Sequence, residues 1–401
     1  MKTLLSTIAL ILTTLSSTFA QELRSPLHIG FIFPISSNGV MAKDYTNDVS
    51  LHVIAGMSKS EKAFCASGIA NMIMEDAEGM QAAGFANFIH DSARGAQLAG
   101  FMNYVNNHAE GVQAAGFMNL TGSAEGAQLA GFGNISIRQA DGAQLAGFIN
   151  IAERTDMQGA GFINIAEQVK GPQLAGFANI GEKVEGAQAA GFINVAGETP
   201  VQAAGFANVA IEANTQIAGF VNVAGKVKGA QIAGFMNIAD SCEYPIGLIN
   251  IIRNGEKHMG VTVDESMTTI AALRSGSRRL YGIIGAGYNF RYSGNTLYAL
   301  EAGFGAHLPI SKNFRLNLEA SCTGLSDMWN YANMKSTLRV LPAIKLGSNV
   351  EIFAGPTINM MIYDNSYSGE DIVPSYLWSD WSKGNFYGFY VGGVAGVQLK
   401  F

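Results

Sequence analysis

The sequence predicts an all-β protein, a parallel β-solenoid of about 12–13 short coils followed by an antiparallel β-barrel of about eight strands. Three observations carry this. Between Asn71 and Asn250 one motif recurs about every 15 residues, and each copy is too short and too glycine-rich to hold a helix. After Asn254 the texture changes to strand-length runs that alternate apolar and polar residues. The last stretch, "YGFYVGGVAGVQLKF", alternates in the same way and closes on Phe401.

Met1–Ala20 reads as a secretory signal, and the reading implies export. Lys2 supplies the positive start and Leu4–Leu15 the apolar run, with small Thr18 and Ala20 ahead of Gln21. No later run reaches the roughly 18 apolar residues of a membrane helix, so any crossing of a bilayer falls to strands. Residues 21–60 hold two more strand-like pieces, "LHIGFIFPI" and "VSLHVIAG". They either cap the solenoid or join the barrel as a hairpin.

The repeats occupy 61–254. An asparagine column runs through Asn103, Asn119, Asn134 and Asn150, and a phenylalanine column through Phe101, Phe117, Phe132 and Phe148. Glutamines such as Gln97, Gln113, Gln128 and Gln144 form a third. Strand alternation in "QLAGFINI" places Gln144, Ala146, Phe148 and Asn150 on one face and Leu145, Gly147, Ile149 and Ile151 on the other. In a parallel stack with coils about 4.8 Å apart, equal columns become ladders. Each asparagine amide then donates to its neighbour's carbonyl, beside buried phenylalanine. An antiparallel meander would bring identical columns together only near the strand centres. Linking pieces such as "AERTD" and "GEKVE" carry the charges and belong at wet turns. "CASGIAN" and "PIGLIN", where the columns decay, read as capping coils.

This pattern resembles the bacterial surface repeat-containing family, whose exported members carry glycine-, glutamine- and asparagine-bearing repeats. The likeness rests on "GFIFPISSNG", "YTNDVSLHVIAG", the repeats, and the exit "IGLINIIRNGEKHMGV". The resemblance implies a cell-surface location and brings no catalytic residues with it.

Residues 255–401 hold candidate strands at 257–265, 267–275, 280–290, 297–308, 314–325, 336–346, 350–363 and 386–401. In "LYALEAGFGAHL", Tyr298, Leu300, Phe304 and Leu308 share a face opposite Glu301 and His307. "FRLNLEASC" sets Phe314, Leu316 and Leu318 against Arg315, Asn317 and Glu319. Strands of this length suit a tilted membrane barrel, and a soluble barrel or sandwich is the alternative. The last strand resembles the terminal strand of bacterial outer-membrane barrels. That likeness implies outer-membrane lipid as surroundings, a two-membrane bacterium as host, and the barrel-assembly machinery as a partner reading the Phe401 end. "PISKN" and "LGSN" read as short periplasmic turns. Longer outer loops hold Trp329, Glu370, Asp371, Trp378, Asp380 and Trp381. Acids beside exposed tryptophan could bind sugar or a cation, or the rings could anchor at the membrane interface or pack the loops.

Catalytic, cofactor and metal motifs are not legible. The six histidines lack ligand spacing, and "GAG" at Gly285–Gly287 lies within a strand. Cys65, Cys242 and Cys322 make no disulfide framework and read as buried structural cysteines, with a catalytic thiol as the alternative. Acids such as Glu110, Glu125, Asp141 and Glu153 sit singly at turns, unlike a lyase groove. The net charge of −6 carries no basic stripe, so nucleic acid is not an expected partner. The expected function is a non-enzymatic surface protein, anchored in the outer membrane, whose solenoid makes structural or adhesive contacts with glycan or surface protein. The alternative is a small outer-membrane channel or transporter with the repeats as plug or funnel. An eight-stranded barrel, whose interior fills with side chains, argues against a pore.

Overall fold

The computed structural model describes residues 22–291, 296–328, 332–364, 372–373 and 375–401. The expected signal at Met1–Ala20 lies outside them. The chain is all-β, with a parallel solenoid of about 14 turns and a closed eight-strand antiparallel barrel. It divides into two compact units, Met1–Gln168 and Val169–Phe401.

In the first unit the stack begins earlier than the repeat motif does. Leu23–Ile32 pairs in parallel with Tyr45–Ser58, which pairs in parallel with Ser60–Ser67. The two N-terminal pieces therefore form the opening coils, which raises the turn count above the number read from the motif. From there identical positions face each other: Gln81, Gln97 and Gln113 in one column, Asn87, Asn103, Asn119 and Asn134 in another. The uneven repeat length is absorbed as bulges near the charged turns, as at Thr121/Ser123 and Ala140/Ala143.

One expectation needs correcting. Gly147–Phe148 is a bend between strands Gln139–Ala146 and Ile149–Ala160, and it breaks the alternation. Gln144 and Asn150 point into the coil and are 0% exposed, whereas Phe148 points outward and is 40% exposed. Phe101 and Phe132 do the same. The phenylalanine column is an outer ladder, not a core, and the bend residue is glycine for a steric reason. A Cβ at Gly116 would lie 2.1 Å from the Gly100 carbonyl oxygen one coil below, and Gly131 and Gly147 repeat that contact. The apolar interior is aliphatic, as where Ile73, Ile89 and Val105 cluster with Ala77, Ala93 and Ala109.

Within the second unit equal positions again face each other through Asn194, Asn208, Asn222, Asn237 and Asn250. Pro245 stands in the glutamine column opposite Gln231 and ends it. Its barrel strands are Glu256–Asp264, Thr268–Gly276, Leu280–Asn289, Leu297–Pro309, Phe314–Ser326, Ala332–Leu346, Val350–Asp364 and Asn385–Lys400. Each neighbour pair is antiparallel, and the first and last strands close the ring. The sixth strand starts at Ala332, earlier than read, and an unexpected short strand, Trp378–Ser382, pairs with the start of the last. At one end the strands are joined by 277–279, 310–313 and 347–349, and at the other by 265–267, 290–296, 327–331 and 365–384. The chain enters from the solenoid at the first of these ends. There the Asn250 backbone N–H donates to Ser275 Oγ at 3.0 Å, and Arg279 pairs with Glu243 at 3.1 Å.

Candidate functional site

The barrel is inverted relative to a soluble one. Met259, Val261, Tyr298, Leu300, Phe304, Leu338, Ile358, Val391 and Leu399 are exposed on its outer face. Arg274, Glu301, Arg315, Glu319, Lys335, Arg339 and Glu351 are buried within it. Alternation along each strand produces both faces at once, as expected for Glu301, His307, Arg315, Asn317 and Glu319.

The inner charges are paired. Arg274 Nε donates to Glu319 Oε1 at 2.8 Å, Arg339 Nη1 to Glu319 Oε2 at 3.2 Å, and Arg339 also to Glu301. Tyr281 completes Glu319 through a 3.0 Å hydroxyl bond. Arg315 bridges Glu256 at 2.9 Å and Glu351 at 2.8 Å, and Lys335 pairs with Asp264. Such pairs hold only while every partner stays, since a lone charge here would be desolvated without compensation. Towards the long-loop end the interior also gathers apolar side chains. Ile372 and Val373 are buried against Ile270, Leu297, Leu325, Met361 and Tyr390. Side chains therefore fill the lumen, as an eight-stranded barrel requires.

Glu256, His258 and His307 converge with ligand atoms within 4.8 Å of one another, a grouping that sequence spacing did not reveal. His258 and His307 lie on the first and fourth barrel strands, so only closure of the ring brings them together. Arg315 and Lys400, at 2.9 and 3.0 Å, already neutralise Glu256, and Asn317 holds His307 Nδ1 at 2.9 Å. The trio reads as part of the ion network.

Of the outer-loop candidates, Trp329, Glu370 and Asp371 lie outside the described residues. Trp378, Asp380 and Trp381 lie on the short added strand, all exposed. Trp381 packs edge-on against Tyr363 at 6.0 Å and Phe386 at 5.4 Å, on the seventh and eighth barrel strands. Trp378 stands opposite Phe389 and Asp380 opposite Tyr387.

The solenoid ladders are hydrogen-bonded as well as stacked. Asn103 Nδ2 donates to Asn119 Oδ1 at 2.9 Å, Asn119 to Asn134 at 2.8 Å, and Asn134 to Asn150 at 2.9 Å. The glutamine ladder runs the other way: Gln144 donates to Gln128 at 2.9 Å and Gln128 to Gln113 at 2.8 Å. The second unit repeats both directions, with Asn222 donating to Asn237 and Gln216 to Gln202. Opposed ladders let the side-chain dipoles cancel instead of summing along the stack.

In the first unit the asparagine ladder is capped at Asn71, whose Oδ1 accepts from Ser67 Oγ at 2.5 Å and Cys65 Sγ at 3.0 Å. Burial pushes the Cys65 thiol well above its ordinary range, which suits a structural donor and not a nucleophile. Beside it Glu61 is fully buried, and that burial raises its carboxyl to about 7 against bonds from Ser50 and Asn47. Burial likewise lowers His52 to about 4, with His28 contributing. In the second unit the ladder ends on the barrel, where Asn250 Nδ2 donates to the Ser275 carbonyl at 3.2 Å.

Two apolar surfaces accompany the ladders. On the first unit a shallow groove of about 1070 Å³ crosses many coils, floored by alanine and glycine such as Ala115, Gly116 and Ala130 and edged by Leu98, Leu129 and Leu145. Phe85, Phe101, Phe117, Phe132 and Phe148 stack nearly parallel at 4.8–5.0 Å. In the second unit Phe177, Phe192, Phe206, Phe220 and Phe235 do so at 4.8–5.2 Å.

No protein-family model matches the chain, and no curated protein matches it. Among solved structures, a de novo designed transmembrane β-barrel is similar at 15% identity and TM-score 0.22, covering 36% of this chain and 93% of its own.

Proposed function

We propose that this is an outer-membrane protein in which the barrel is a sealed anchor and the solenoid a non-enzymatic interaction surface. The observation that carries the reading is the barrel's inversion, with leucine, valine, isoleucine and phenylalanine outward and a paired ion network inward. A soluble barrel would bury the first set and solvate the second. Lipid is the solvent that suits this outer face.

The connections orient it. Outer-membrane barrels keep short turns on the periplasmic side and long loops outside. Here the solenoid joins at the end of 277–279, 310–313 and 347–349, opposite the long 365–384 connection. The coils of the second unit therefore stand in the periplasm, a reading that departs from the surface display implied by the family resemblance. Their repetition favours weak, multivalent contacts with an envelope glycan or a neighbouring envelope protein.

A channel is the second reading, and the filled lumen counts against it. Fractionation of the producing cell with heat-shift electrophoresis tests the anchor, and planar-bilayer recording tests the pore. The expected result is a heat-modifiable band in the outer-membrane fraction without discrete conductance. A soluble periplasmic protein would overturn the anchor, and stable unitary currents would restore the channel.

A further inference from the structure

The outer phenylalanine ladder of the second unit does not stop in solvent. Phe177, Phe192, Phe206 and Phe220 are each about two-fifths exposed, and Phe235 follows them. The next position in the column is Leu248, set one coil on by the bond from Ile249 N to the Phe235 carbonyl at 3.0 Å. Leu248 lies against the outer face of the barrel. A Cβ at Gly282 would meet the carbonyl oxygens of Gly247 and Leu248 at 2.2 and 2.4 Å, so the third barrel strand needs glycine there to admit the coil. Leu248 then lines, with Phe304, Leu338, Ile358, Met360 and Phe389, a depression of about 510 Å³ on the barrel exterior. Small side chains, Ala302, Ala320, Cys322 and Ser336, form its floor.

We infer that the ladder and this depression are one continuous apolar track, and that its occupant is the acyl chain of a membrane lipid. The inference rests on the barrel standing in a bilayer, because continuity with the lipid-facing surface is what names the occupant. The track itself is uncharged. Ion pairs of its coils, such as Lys183–Glu185 and Lys228–Glu212, lie on the turn edge instead. Backbone donors and acceptors in these coils are spent on the neighbours above and below, as from Asn194 to Asn208 and on to Asn222. An extended peptide laid on the ladder would find no strand edge to pair with. A hydrocarbon chain asks for none. Stacked rings with centroids 4.8–5.2 Å apart give it a ribbon running along the solenoid axis.

The test uses the full chain in its own membrane, with a photo-crosslinking phenylalanine analogue replacing Phe220, Leu338 or Glu212 in turn and cells fed a labelled fatty acid. Heat-shift electrophoresis confirms that each variant has a folded barrel. Labelled-lipid adducts at positions 220 and 338 and none at 212 are expected. Leu248→Ser, which interrupts the track, should lose the adduct at 220 and keep the one at 338. Lipid at 338 without lipid at 220 overturns the track and leaves the membrane anchor standing. No lipid at 338 overturns the anchor and, with it, this inference. Adducts at 220 of twice the chain mass, free of label, would assign the ladder to a second copy and refute the lipid.

Discussion

Asn119→Ala interrupts the asparagine ladder at one rung, and the consequences can be followed atom by atom. Asn119 Nδ2 donates to the Leu129 carbonyl at 2.8 Å and to Asn134 Oδ1 at 2.8 Å, while its own Oδ1 accepts from Asn103 at 2.9 Å. Asn103 keeps the Ala114 carbonyl at 2.9 Å and the Gln97 carbonyl at 3.1 Å, so it is not orphaned. Asn134 Oδ1 loses the donor that the ladder supplies, at a cost of about 1–3 kcal/mol for a buried acceptor. The void left by the carboxamide adds about 1 kcal/mol. The expected loss is therefore about 2–4 kcal/mol, confined to nearby coils because stacked repeats couple mainly to their neighbours. Hydrogen exchange read by mass spectrometry should show faster opening over 102–115 and 133–146, with coils 207–218 in the second unit unchanged. Asn106→Ala, at an exposed position within the strand Met102–Ala115, is the control. If Asn119→Ala matched that control, or if protection fell evenly along the whole stack, the ladder would not be what holds the coils.

Three further outcomes follow from the same structure. The buried Glu61 carboxyl keeps its proton up to about pH 7 when folded, against an ordinary value of 4.5. The stability it contributes is thus full below pH 4.5 and lost as pH rises through 7, by about 3 kcal/mol. The difference between Glu61→Gln and the natural chain in local exchange over 60–67 should grow across that window, and a pH-independent difference would refute it. Gly116→Ala forces a Cβ to 2.1 Å from the Gly100 oxygen, so about 3 kcal/mol or more of local stability should be lost, read by limited proteolysis. Wild-type resistance would contradict the stacking geometry. Glu319→Gln leaves Arg274 buried without a carboxylate and Arg339 with Glu301 alone, and should cost about 3–5 kcal/mol, seen as an earlier urea midpoint of the heat-shifted band in detergent. An unmoved midpoint would show that the network does not stabilise the barrel.

The architecture was legible because both halves repeat a short-range signal. Columns at Gln144 and Asn150 give the stack, and alternation at Phe314–Ser321 gives the barrel wall and which side of it is charged. The burial of the phenylalanines was misread because strict alternation was carried through Gly147, and a bend costs one residue of phase. The role of residues 21–60 was undecided since their ladder positions hold His28, Ser50 and Gly56 in place of amides, and only the parallel pairing assigns them. Contacts made by closure escaped altogether. Lys335 meets Asp264 across 71 residues, and Leu248 meets the barrel wall because Gly282 admits it. Neither has a local pattern. The trace of the second was Gly282 between Tyr281 and Ile283, masked by Gly285 and Gly287 in the same strand.

The measurement that bears most directly on the account is the side of the membrane on which each end of the barrel lies. In a background freed of Cys65, Cys242 and Cys322, single cysteines would be placed by Ser379→Cys, on the strand of the long connection, and Lys183→Cys, on the charged edge of the solenoid. A membrane-impermeant maleimide would then be applied to intact and to permeabilised cells. The account predicts that position 379 reacts in intact cells and position 183 only after the outer membrane is breached. Labelling of 183 on intact cells, with 379 protected, would contradict it and return the repeats to the cell surface.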